Sequence, residues 1–203
     1  MPDIRTGDVR QEEFNHMIPV SRIVTALRYS LRDMHGANVS DFEIINAINQ
    51  AASLLYGRLS ENYVHNAVKK IILVVDDTLQ ASLPSDFISV YRVGIGEKRY
   101  AVLVSYKANK KGTYRITGDN FYAPEGTYTL EYFYLPARVN NLTDSLDVSP
   151  SVSPYIEQIA ASILGKDLTS AEEVTQTCCR TLSGGEISHF ENAGPVQILG
   201  GRL

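Results

Sequence analysis

The side chains with the most chemical capacity in this sequence are scattered rather than grouped. His16, His35, His65 and His189 stand singly, and none is joined by a second ligand type at the spacing a tetrahedral zinc site requires. Each is read as a solvent-facing or capping residue. Asp76-Asp77, and Asp144 with Asp147, carry carboxylate oxygens of the kind a hard cation takes. Both sets lie beside turn signals, where aspartate bonds its own backbone, so they are expected to be turn residues. Gly94-Ile95-Gly96 is a fragment of a phosphate loop without the third glycine, the following helix or the P-loop lysine. Serines are plentiful, but no Gly-x-Ser-x-Gly elbow is present. Lys107, Lys110 and Lys111 cluster at an expected hairpin tip between Tyr106 and Tyr114, in the manner of a nucleic-acid contact, although a solvated turn explains them as well. Cys178 and Cys179 are adjacent, and neighbours on a helix point about 100° apart, which does not suit a disulfide. They are read as reduced, partly buried small hydrophobes. Catalysis needs converging groups, and this spacing supplies none. The expectation is a protein that is not an enzyme, with no catalytic residue, no cofactor and no metal.

Composition narrows the class further. With 203 residues and 44% hydrophobic side chains, the chain can close one sizeable core and would be crowded as two domains. Charged residues make up 21% and the formal net charge is −4, so no basic excess supports binding to nucleic acid by phosphate neutralisation. Met1 to Glu13 is polar with both charge signs, and no apolar run approaches the roughly 18 residues of a membrane span. A soluble protein made in the cytoplasm, with no membrane contact, is expected. Asn38-Val39-Ser40 and Asn141-Leu142-Thr143 match the glycosylation sequon but carry no weight without a secretory signal.

The elements that would position these residues follow from periodicity. Ile23, Val24, Leu27, Leu31 and Met34 recur at helical steps and predict a helix over about 21–35, with His35-Gly36 as its stop. Ser40 and Glu43 have capping-box spacing, and Ile44, Ile45, Ile48, Ala52, Leu55 and Leu59 form a stripe, predicting a second helix over about 41–62. From about 68 to 135 the pattern turns to short Val, Ile, Tyr and Thr runs broken by turn residues, which predicts an antiparallel meander. In Thr127 to Leu135, Tyr128, Leu130, Tyr132 and Tyr134 fall on one face and Phe133 and Leu135 on the other. That strand is expected to be covered on both sides, by the helices on one and by a neighbouring subunit on the other. Ser153-Pro154 reads as N-cap and first helical residue of a helix over about 153–167. Thr169 with Glu172, or Ser170 with Glu173, opens a fourth over about 170–182, interrupted at Ser183-Gly184-Gly185. The predicted class is α+β, mainly a bundle of about four helices with a small inserted antiparallel β-domain. It divides into a polar segment 1–18, a folded domain 19–182 and an extended arm 183–203.

Three segments in order carry a resemblance: Leu83-Pro84-Ser85-Asp86-Phe87 leading into Ile88 to Val93; Tyr114 to Asn120; and Gly126 to Pro136. Together with the element order over about Val20 to Leu182, the chain resembles the head-to-tail adaptor proteins of tailed bacteriophages. The resemblance implies a virion structural protein of the neck, usually twelve copies in a ring under the portal, continuing the channel through which packaged DNA passes without sequence-specific binding. It implies the portal protein and tail or nozzle proteins as partners, and a C-terminal segment that grips the portal. Here that segment holds Val196, Gln197, Ile198, Leu199 and Leu203, and in this glycine-spaced arm the apolar Val196, Ile198 and Leu199 suit extended docking.

Two other readings compete. A tail-completion or head-closure protein would also be a ring subunit but would meet the tail tube first. A small binding module would present Tyr122, Tyr128, Tyr132 and Tyr134 as stacking platforms for carbohydrate or single-stranded nucleic acid.

Overall fold

The structure is a computed structural model, and it describes residues 17–95, 103–104 and 113–183. Four helices, α1 (Val20–Ser30), α2 (Asp41–Glu61), α3 (Ser153–Leu164) and α4 (Leu168–Ser183), pack together, α2 against α3 and α3 against α4 most extensively. Nine strands lie around and beside them: β1 (Met17–Pro19), β2 (Val68–Val75), β3 (Gln80–Ser82), β4 (Phe87–Ile95), β5 (Leu103–Val104), β6 (Thr113–Thr117), β7 (Asn120–Tyr122), β8 (Gly126–Tyr134) and β9 (Ser145–Asp147). The class is α+β.

The helical core follows the predicted stripes. Ile23, Leu27, Ile44, Ile48, Leu55, Leu59, Ile156 and Ile159 are all essentially solvent-free, each such side chain stabilising the fold by roughly 1.5–3 kcal/mol through burial. Asn49 is a polar exception within this core. Its amide nitrogen donates to the Val139 carbonyl at 2.8 Å and its oxygen accepts from the Val139 N–H at 2.9 Å, which ties the segment after β8 to α2. At the start of α2 the predicted capping box is present: the Glu43 N–H donates to Ser40 Oγ, and the Ser40 N–H donates to Glu43.

Helix ends differ from the expectation. Helix α1 stops at Ser30, short of His35-Gly36. Arg32 takes φ 55°, its N–H donates to the Tyr29 carbonyl, and the Asp33 N–H donates to the Arg28 carbonyl, the paired bonds of a Schellman cap. The same geometry closes α2 around Tyr63 (φ 54°) and α3 around Lys166 (φ 60°). All three left-handed positions are held by residues with a β-carbon, so a search for glycine misplaces the stops. Gly36 is needed for another reason. It has φ +66°, and a β-carbon there would lie 3.0 Å from the Arg28 guanidinium. That guanidinium and the N–H groups of Ala37, Asn38 and Val39 all donate to the buried Asp33 carboxylate, fixing the turn between α1 and α2. At the other end of the bundle, the first residue of α4 is Leu168 and its N-cap is Asp167, whose carboxylate accepts from the Ser170 N–H at 3.0 Å. The anticipated Thr169 and Ser170 boxes are not formed, because Asp167 already occupies the capping position. Likewise α3 begins at Ser153 itself, with Val152 preceding it.

The strands form three sheets rather than a single meander: β1-β9, β2-β8-β4 and β3-β7-β6-β5. All pairings are antiparallel except β5 with β6, which is parallel. Strand β8 is central in its sheet, and its two faces have different covers. Tyr128, Leu130 and Tyr132 are buried on one face, where Phe121 of β7 meets Tyr128 edge-on at 5.4 Å between ring centroids. The chain's own second sheet, rather than a neighbouring subunit, is therefore a cover on that side. On the opposite face Phe133 lies under Tyr63 and Tyr91, at 5.8 and 5.5 Å. Tyr134, at the end of β8, reaches Tyr56 of α2.

Candidate assembly surfaces

The densest polar constellation sits where the sheets meet the bundle. Lys69 of β2 places its ammonium 2.8 Å from Asp86 and 2.6 Å from Asp147, and 4.0 Å above the Tyr134 ring. Tyr132 donates its hydroxyl to Asp86 at 3.0 Å, and Tyr134 donates to the Asp147 carbonyl at 3.2 Å. The Tyr56 and Tyr134 hydroxyls lie 3.3 Å apart, and the Ser149 N–H donates to Tyr56. Strand alternation puts Lys69 beside Tyr132 in register, while β9 and the turn before β4 bring the two carboxylates to it. Burial pulls the Lys69 ammonium towards neutrality, but hydrogen bonds and charge from Asp147 and Asp86 outweigh it, so its pKa is raised. Burial pushes Tyr56 up to about 12 and raises Tyr132 and Tyr134 as well, with the Asp86 and Asp147 charges adding to it. Each of these groups therefore keeps its proton, and each spends its polar atoms on a neighbour. Such an arrangement fastens one part of the fold to another; it has no nucleophile paired with a free base.

The other polar candidates resolve into local structure. Asp76 accepts from the Thr78 N–H at 2.9 Å, and Asp144 accepts from the N–H groups of Asn140 and Asn141 at 2.7 and 3.0 Å; these are turns that bond their own backbone. Asp147, by contrast, belongs to the Lys69 cluster, a role that turn chemistry did not signal. His65 lies against Tyr91 at 5.5 Å and His35 is exposed. Gly94 and Ile95 are the end of β4. Cys178 and Cys179 are free thiols buried in α4, and burial, then the neighbouring Cys179, push Cys178 up to about 12. His16, His189, Gly96, the Lys107, Lys110 and Lys111 cluster, and the arm residues Val196, Gln197, Ile198, Leu199 and Leu203 lie outside the described residues. The tyrosines do not make an exposed stacking platform. Tyr128, Tyr132 and Tyr134 are all at most 5% exposed, and Tyr122 is half-buried with Arg115 over its ring at 4.8 Å. No helix among the described residues is long and apolar enough to cross a membrane.

Among the described residues several large apolar side chains remain exposed. Tyr29, Met34 and Phe42 stand 78, 54 and 74% exposed around the Asp33 turn. The three-stranded sheet has two edges, β2 and β4, both hydrogen-bonded on one side to β8. Strand β4 is irregular, with register shifts between Phe87 and Ser89 and between Val90 and Arg92. Strand β2 runs in unbroken register from Val68 to Val75, and its outward residues Ile72 and Val74 are 54 and 70% exposed.

No curated protein sequence matches the chain. A family model does, that of the SU10 adaptor protein, and it spans residues 18–173, from the first described strand through the helical bundle and both larger sheets into α4. The match covers most of the chain, and the chain belongs to the SU10 adaptor protein family.

Proposed function

We propose that the chain is a ring subunit of the virion neck, joining the portal vertex to the tail and continuing the channel for DNA. The observation that carries this reading is the match to the adaptor family over 18–173. Twelve copies, with the portal protein on one side and tail or nozzle proteins on the other, follow the adaptor pattern. A formal net charge of −4 suits a channel wall past which phosphates must slide. The C-terminal arm that follows α4 supplies the portal contact through Val196, Gln197, Ile198, Leu199 and Leu203. Ordering such an arm costs roughly 1–2 kcal/mol per residue in backbone entropy, so single contacts are weak and repetition around a ring makes attachment persistent. Chemistry is not part of the role: the polar groups of the Lys69 cluster are consumed in holding the fold.

Size-exclusion chromatography with light scattering, on the chain alone and mixed with the portal protein encoded in the same genome, tests the proposal. Co-elution at the mass of portal plus twelve chains is expected. Replacing Val196, Ile198 and Leu199 together by Asp is expected to abolish that complex and leave the circular dichroism and melting temperature of the free chain unchanged. A chain that stays free beside the portal overturns the portal-side assignment in favour of a tail-side ring protein.

A further inference from the structure

The two edges of the three-stranded sheet are defended unequally. An exposed strand edge is a template for further pairing, and proteins ordinarily blunt it with bulges, prolines or charges pointing inward. Strand β4 has two register shifts that break the regular spacing of its free backbone groups. Strand β2 has none over eight residues and contains no proline. Its one inward charge, Lys69, is neutralised by Asp86 and Asp147 and so guards nothing. On the outer face Lys70, Ile72 and Val74 follow at alternate positions, all exposed.

Charge across this face says what would fit beside it. One row of the sheet runs Lys70 of β2, Glu131 of β8 and Arg92 of β4 in register, and Glu131 pairs with Arg92 at 3.5 Å. Signs alternate across the row and end on the Lys70 ammonium, which has no carboxylate partner among the described residues. A further strand continues the alternation only if it brings an acidic side chain there, since opposite charges on directly opposed strand positions attract and like charges repel. The next two rows end on Ile72 and Val74 and call for apolar side chains. Strand β4 of a second copy fails this test, because it would set Arg92 near Lys70 and present a bulged edge.

We propose that the edge of β2, unpaired among the described residues, receives an extended segment of another virion polypeptide as a fourth strand, with a carboxylate opposite Lys70 and apolar side chains opposite Ile72 and Val74. This rests on the adaptor reading and adds to it a surface separate from the C-terminal arm. Main-chain bonds to the edge supply the attachment, and the alternating side chains supply the choice of partner.

Hydrogen exchange read by mass spectrometry, on the full chain alone and in its complex with the portal and tail proteins of the same genome, tests it. Outward amides in 68–75 are expected to exchange at least about tenfold more slowly in the complex, with 87–95 unchanged. Val74→Lys is expected to weaken the complex by roughly tenfold or more at an unaltered melting temperature, and Lys70→Glu to weaken it at least as much with a small fall in melting temperature, since the new carboxylate stands opposite Glu131. A complex that forms with 68–75 unprotected, or that tolerates both substitutions, overturns the proposal. So does protection already present in the isolated monomer, which would assign the edge to the chain's own segment, or protection that appears when the chain associates with itself, which would assign it to a second copy. Failure to form any complex removes the adaptor reading and this proposal with it, a result distinct from a complex in which β2 stays open.

Discussion

The helical bundle and the junction beneath the sheets are held together by opposite means. Within the bundle, α2 presents Ile44, Ile48, Leu55 and Leu59 to α3 and α1, and Asn49 is one of few polar groups among them. At the junction, Lys69, Asp86, Asp147, Tyr56, Tyr132 and Tyr134 interlock through charge and hydroxyl hydrogen bonds. Apolar burial is non-directional and tolerates small shifts, whereas a hydrogen-bonded charge cluster holds one arrangement because each partner lost leaves another unsatisfied. The junction thus sets how the sheets sit against the bundle, and the helices supply the bulk of the stability.

The largest effect should come from the bundle. Leu55→Ala, at a solvent-free position, is expected to cost about 2–5 kcal/mol in urea unfolding, through lost transfer energy plus the cavity left behind. Lys69→Met should cost less, about 1–3 kcal/mol. The cluster is partly open to water, with about a third of the Lys69 side chain exposed, so the two carboxylates left facing each other are partly screened. Its distinguishing sign is local. Amide exchange in β9 and the turn around Asp86 should accelerate while α2 stays protected. Equal acceleration in both regions would break the comparison.

Alkali separates the two regions by chemistry rather than by size. Tyr56 has a folded pKa pushed up to about 12, against about 10 in an unfolded chain, so the folded state holds the proton more tightly. Its contribution is fully present below about pH 10 and is lost as pH rises through 10 to 12. Tyr132, Tyr134 and Lys69 are shifted in the same direction, and Cys178, whose charge bears on Tyr56, begins the loss nearer pH 9. Unfolding free energy measured by urea titration at successive pH values should therefore decline from about pH 9 onward. In Cys178→Ala the decline should be shallower at its alkaline onset, with Cys179, also raised by burial, sustaining the remainder. A flat profile from pH 9 to 12 would mean that the junction opens before the bundle unfolds.

Legibility in the sequence divides along the same line. The stripes of α1, α2 and α3 could be read because a helix repeats its buried face every three to four residues, and the Ser40 and Glu43 box could be read because it is local. The junction could not: its members come from α2, β2, the turn before β4, β8 and β9, and only the paired register of β2 with β8 and the return of β9 bring them together. The tyrosines of β8 were legible as one face, but whether that face met water or a second sheet depended on Phe121, from another hairpin. The arm residues proposed for the portal lie outside the described residues.

Helix ends give the smallest and most local test. Arg32, Tyr63 and Lys166 each hold a left-handed backbone that a β-carbon disfavours, at a cost of about 1–2 kcal/mol. Tyr63 recovers some of that by covering Phe133, and Arg32 borders the Asp33 turn. Lys166 is exposed and is in no ion pair among the described residues, so its strain is the least offset. Lys166→Gly should raise stability by about 0.5–1 kcal/mol, part of the relief being lost to the greater freedom of glycine in the unfolded chain. Tyr63→Gly should instead destabilise, because the ring over Phe133 goes with the strain. Opposite signs at two positions of the same backbone geometry would show that the bundle's cap at Lys166 is only a stop, whereas the cap at Tyr63 is also part of the contact between bundle and sheet.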